Sequence, residues 1–128
     1  MCVARIFLAI VGAAYLALSI WCSVSPVSTA RSVGFDLHPG SGQSEYLVIY
    51  GGLQLALACV FLWPLYRRRD LSFCLSVCLI VHACLMLFRT LGFLAFTDIG
   101  TTTYVLATVE WAIFLLAGWF WWTTPSVV

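Results

Sequence analysis

Three ionisable side chains stand in stretches that are otherwise apolar: Glu45, Arg89 and Glu110. A guanidinium between carboxylates orients them through paired, charge-assisted hydrogen bonds. Two carboxylates and one guanidinium leave one negative charge, which must be protonated, hydrated or matched by a cation. Tyr46, Tyr50 and Gln54 follow Glu45 at four-residue spacing, a ladder of hydroxyl and amide groups on one helical face. His82 lies seven residues, about two turns, before Arg89. The set predicts a polar cavity built from Glu45, Tyr46, Tyr50, Gln54, His82, Arg89 and Glu110. Its chemistry suits a small amphipathic or cationic molecule or a lipid headgroup, with Arg89 orienting both carboxylates, Tyr50 hydrogen-bonding the ligand and Glu110 holding the unmatched charge. A carboxylate pair with His82 could instead move protons on a lipid-like substrate, as an isomerase would. In a third reading the charges only fix helix register, and the chain is a structural or accessory subunit.

The three charges differ in what else accounts for them. Glu45 follows Ser44 in the expected first turn of a helix, where the helix dipole favours a carboxylate. Arg89 has a stem long enough to carry its charge outward along apolar surface. Glu110 has neither explanation, because it is too deep for a cap and its side chain is short.

Cysteine chemistry is the other candidate. Cys22, Cys59, Cys74, Cys78 and Cys84 fall in apolar stretches, Cys2 is near the N-terminus, and none has the short paired spacing of a zinc or redox motif. Cys74, Cys78 and His82 share a face, but a thiolate site would need further ligands, and small buried hydrophobe is the ordinary role of such cysteines. No phosphate-binding loop, dinucleotide fingerprint or serine-hydrolase order occurs. No cofactor or metal is expected.

What positions these residues follows from composition. Of 128 residues, 63% are hydrophobic and 9% charged, where a soluble domain carries about a quarter charged. The net charge is +1, with six arginines and no lysine, so no basic field exists to hold nucleic acid. Continuous Leu- and Ala-rich runs of roughly 20 residues suit helices that cross a hydrocarbon core; barrel strands would alternate and be about half as long. The sequence predicts an all-α integral membrane four-helix bundle, a single domain over 1–128 with spans at 6–24, 46–65, 71–89 and 104–122. The third span is expected to end near Arg89, beyond which the chain skims the interface.

The first run resembles both a signal peptide and a signal anchor, and is expected to be retained because Pro26 follows the best cleavage pattern. Arg67, Arg68 and Arg69 crowd the link between spans two and three, with Arg5 on the same side, so both termini are expected in the cytoplasm and the protein in the inner cell membrane. Trp21, Trp63, Trp119, Trp121 and Trp122 suit interfacial belts. In the outer loop 25–44, Ser25-Pro26 opens and Gly34 closes a short interfacial helix over 27–33, and His38-Pro39-Gly40 is turn chemistry. Ala9, Ala13 and Ala17, with Gly52 and Ala56, have the spacing of close helix contacts within one chain or in an oligomer or membrane complex.

The stretch Gly42-Gln43-Ser44-Glu45-Tyr46-Leu47-Val48-Ile49-Tyr50-Gly51-Gly52-Leu53, followed by Phe88-Arg89 and Glu110, resembles a group of small bacterial membrane proteins, domain-of-unknown-function family forty-three forty-five, itself similar to the wider DoxX-like proteins. The resemblance runs from the first span to the last. It implies a compact four-helix bundle with these polar residues turned inward, and no established activity. DoxX-like relatives include a quinone-reducing oxidoreductase subunit, but no motif here would transfer that role.

Overall fold

Long apolar runs, interrupted only where proline, glycine or clustered charge breaks them, fold as helices. The structure, a computed structural model, describes residues 2–124, so the outermost residues of the expected 1–128 domain lie outside the described residues. Helix α1 spans Cys2–Val24 and yields at Ser25-Pro26 to the short α2, Pro26–Ser32, which carries proline in its first turn. Gly34, at φ +86°, closes α2: its N–H donates to Arg31 O and that of Phe35 to Ala30 O, the two bonds of a Schellman cap. Gly40, at φ +78°, turns the chain into α3, Ser41–Leu65. A 3-10 turn at Arg68–Asp70 leads to α4, Leu71–Ala95, and Gly100 precedes α5, Thr101–Thr123. The described residues contain no strand, and α1, α3, α4 and α5 are each long and apolar enough to cross a membrane.

Several boundaries differ from the sequence expectation, and the first helix already begins at Cys2 rather than Ile6. The second long helix starts at Ser41 rather than Tyr46, because the polar run Ser41 to Glu45 extends the helix instead of capping it. The third does not end near Arg89 but continues to Ala95, since the residues after it are apolar and Gly92 alone does not break a helix. The fourth begins at Thr101. Both changes around Arg89 and Glu110 set these charges deeper than the sequence suggested.

Helix α3 is not regular. Between α-helical segments at Ser41–Tyr46 and Gln54–Leu62 it runs as a π-helix over Leu47–Leu53, then tightens to 3-10 at Trp63–Leu65 around Pro64. Wide turns of this kind recur where helices carry function or are wedged by a neighbour. Here α1 presses on the wide segment: Ser19 Oγ donates to Gly51 O at 2.8 Å, and a Cβ at Gly51 would stand 2.7 Å from Ser23 Oγ. One contact lower, a Cβ at Gly12 would meet Leu62 Cγ at 2.8 Å. Close approach of this sort holds helices together where lipid supplies no hydrophobic force between them.

The main core lies toward the Arg-rich end and joins Ala4, Phe7, Leu8 and Val11 of α1, Phe61 of α3, Leu71, Cys74, Leu75 and Cys78 of α4, and Ala117 of α5. A smaller cluster of Cys22, Ala30 and Tyr46 pins α2 at the opposite end. Along the long helices large apolar side chains face outward: Ile10, Phe73, Leu94 and Trp119 are all exposed, the arrangement of a bundle whose solvent is hydrocarbon. Ala13, Ala17, Gly52 and Ala56 are also exposed and Ala9 is half-buried, so most of the expected small-residue positions lie outside the intrachain contacts. Gly12, Ser19 and Gly51 make them instead.

Candidate functional site

Helices α4 and α5 lie side by side, and an ion pair joins them. Arg89 Nε donates to Glu110 Oε2 at 2.5 Å and Nη2 donates to Oε1 at 2.6 Å, a side-on geometry that matches both carboxylate oxygens. The side chains are 24% and 15% exposed, so the pair is screened from its surroundings without being sealed. By helical rise, Arg89 stands about 9 Å inside the Ala95 end of α4 and Glu110 about 14 Å inside the Thr101 end of α5. At that depth Arg89 has turned to a partner rather than snorkelled to the interface. One turn beyond Arg89, Phe93 stacks on Tyr104 at 5.1 Å between ring centroids, bridging the same two helices on the outer side of the pair.

Glu45 does not join them. It is exposed on α3, and among the described residues the Arg89–Glu110 bridge is the only ion pair. The expectation that Arg89 bridges two carboxylates is therefore met by Glu110 alone. The reason is local: with the helix starting at Ser41, Glu45 turns outward while its neighbour Tyr46 is buried. The polar centre is charge-balanced, not one negative charge in excess, and the carboxylate pair of the catalytic reading is not assembled.

The ladder on α3 divides as well. Tyr46 O–H donates to Thr29 Oγ1 at 3.1 Å, and Tyr46 stacks on Tyr50 at 4.4 Å. Phe35 of the α2–α3 connection meets the Tyr50 ring edge-on at 6.0 Å. Tyr50 is half-buried in this aromatic group, and Tyr46 is a latch for α2. Past the wide π-helical turn, Gln54 has a buried Oε1 with no hydrogen-bond partner among the described residues. An unpaired buried carbonyl is costly and calls for a donor such as water or a ligand.

His82 is fully buried below the ion pair. Its Nδ1 lies 2.8 Å from Cys78 O, which can only accept, so Nδ1 carries the proton. The free Nε2 then accepts from Tyr15 O–H at 3.3 Å, which makes a neutral chain from Tyr15 through His82 to the α4 backbone. Tyr15 is the residue that sequence reasoning missed. It did leave a signal: tyrosines favour membrane interfaces, and one about 20 Å into α1 needs a polar partner inside the bundle.

Cys74 and Cys78 are buried in the main core, and no three His, Cys, Asp or Glu residues among those described are grouped to hold a metal. Neither a family model nor a curated protein nor a solved structure matches the chain.

Proposed function

We propose that this chain is a multi-pass protein of the inner membrane, with both termini cytoplasmic, that binds a small amphipathic molecule or lipid headgroup at Arg89 and Glu110. The observation that carries the proposal is the partly exposed, two-point Arg89–Glu110 pair, held well inside two spanning helices with the Tyr15–His82 chain beneath. Charged groups at such depth are costly to place and mark sites of function. Because the pair is balanced, a dipolar head, offering an anionic group to Arg89 and a cationic or donor group to Glu110, suits it better than a bare cation. The resemblance to the family of unknown function implies inward-facing polar residues, which Glu45 departs from, and adds no activity.

The test is thermal unfolding of the purified chain in a neutral detergent, with alkyl amphiphiles of one chain length bearing phosphocholine, trimethylammonium or sulfate heads. Phosphocholine should raise Tm most, and both Glu110→Gln and Arg89→Ala should abolish the gain. Equal gains in wild type and both variants would remove the site from the protein's function.

A second reading has its own support: the bidentate geometry already satisfies both partners, as in a helix latch of an accessory subunit. Exchanging the charges, Arg89→Glu with Glu110→Arg, separates the two. A latch keeps wild-type stability with the charges exchanged and shows no amphiphile response in either form; a binding site loses its response on exchange.

A further inference from the structure

At the end opposite the ion pair, α1 and the close of α3 leave an open groove of about 400 Å³, lined by Arg5, Ile6, Ala9, Ile10, Ala13 and Leu65, with Cys2 at its edge. Ala9 and Ala13 form a shallow floor, and the larger Ile6, Ile10 and Leu65 form its walls. Arg5 is the only charged residue in the lining, and it stands at the membrane-boundary end of the groove.

Length and charge both point to the occupant. From Cys2 to Ala13 the helix rises about 16 Å, half of a hydrocarbon core roughly 30 Å thick and thus the depth of one leaflet. Around the charged end, Arg5 is joined by Arg67, Arg68 and Arg69 of the α3–α4 link, against Asp70 as the one acid. Asp70 is already engaged, accepting from Trp63 Nε1 at 2.7 Å, and Arg67 lies over the Trp63 ring at 6.0 Å. Arg5 has no carboxylate partner among the described residues. We propose that this groove binds one anionic phospholipid, an acyl chain lying along Ala9 and Ala13 with its phosphodiester headgroup on Arg5. Such a lipid fills the depression left by the two alanines and supplies the counter-charge that the arginine end lacks. The site is independent of the Arg89–Glu110 centre.

Native mass spectrometry of the full chain tests it, after delipidation in neutral detergent and titration with phosphatidylglycerol or phosphatidylcholine of identical acyl chains. Wild type should retain one phosphatidylglycerol in clear preference to phosphatidylcholine. Arg5→Gln should reduce that preference about fivefold, the contribution of a single basic residue near a lipid surface. Ala13→Leu, which fills the floor from an exposed position, should weaken both lipids alike, and unchanged helix content by circular dichroism would show that either variant is folded. Equal retention of the two lipids by wild type would overturn the proposal. So would a preference untouched by both variants, or one lost only when Arg67 to Arg69 are neutralised, which would place the lipid on the link alone. A dimer dissolved by Ala13→Leu would assign the groove to a second copy and overturn it as well.

Discussion

Arg89 and Glu110 meet across α4 and α5 through two hydrogen bonds of 2.5 and 2.6 Å, each deeper in its helix than the apolar runs alone would place it. Removing one member leaves the other charge without a partner, whereas removing both leaves an apolar contact. Breaking a screened pair from one side costs about 3 kcal/mol or more, while replacing both partners by apolar residues is often near neutral. Arg89→Met and Glu110→Leu should each lower the unfolding free energy by about 3 kcal/mol, and the double variant should recover most of it. Unfolding in mixed micelles of rising denaturing-detergent fraction measures this cycle. Additive losses would mean that the two side chains stabilise the bundle independently.

Tyr15 donates to His82 Nε2 at 3.3 Å, and His82 spends its own N–H on Cys78 O. Tyr15→Phe should cost about 1 kcal/mol, the ordinary worth of a hydrogen bond between membrane helices. Nitrogen chemical shifts of the imidazole should report the Nδ1–H tautomer in both proteins, with the Nε2 resonance moving only when the hydroxyl is lost. An Nε2–H tautomer in the wild type would reverse the donor order and break the chain as described.

Charge and hydrophobicity were legible in one dimension, and so were the features that depend on them alone. Continuous apolar runs announced four long helices, and the intramembrane Arg89 and Glu110 announced a polar centre, since few other residues in such runs resist hydrocarbon. Glu45, Gln54 and Tyr50 were less legible because their direction depends on helix phase. The wide turn over Leu47–Leu53 changes that phase for the residues beyond it, and it does not follow from four-residue spacing. Tyr15 was hidden for a different reason: one hydroxyl in an apolar helix reads as an aromatic hydrophobe until its partner is known.

The same dependence on phase misplaced the small residues, and glycine substitutions separate the contacts that were expected from those that form. A Cβ at Gly12 would stand 2.8 Å from Leu62 Cγ and 3.2 Å from the Leu62 backbone nitrogen, which cannot rotate away. At Gly51 the near atom is Ser23 Oγ at 2.7 Å, which can turn on its own bond, and at Gly52 nothing lies within 4 Å. Gly12→Ala should therefore cost about 2 kcal/mol as overpacking, Gly51→Ala less, and Gly52→Ala should be neutral or stabilising by up to about 1 kcal/mol through improved helix propensity. The ranking by thermal unfolding is the check, and Gly52→Ala as the most damaging of the three would contradict the α1–α3 crossing.

Cysteine accessibility tests the direction of the whole bundle. Cys22, Cys74 and Cys78 are buried, while Cys59 and Cys84 are exposed on membrane-spanning helices, where an aqueous reagent cannot follow. Cys2 is exposed at the start of α1, three residues from Arg5 and at the end that carries the arginine-rich link. A membrane-impermeant maleimide should therefore label the chain once, at Cys2, and Cys2→Ser should abolish the signal. With the arginines on the cytoplasmic side, as the charge rule directs, labelling should occur in inside-out vesicles and not in intact cells whose outer membrane has been made permeable. Labelling from the outside would invert the bundle and turn the Arg89–Glu110 end toward the cytoplasm; the ion pair would be unchanged, but its ligand would have to come from within the cell.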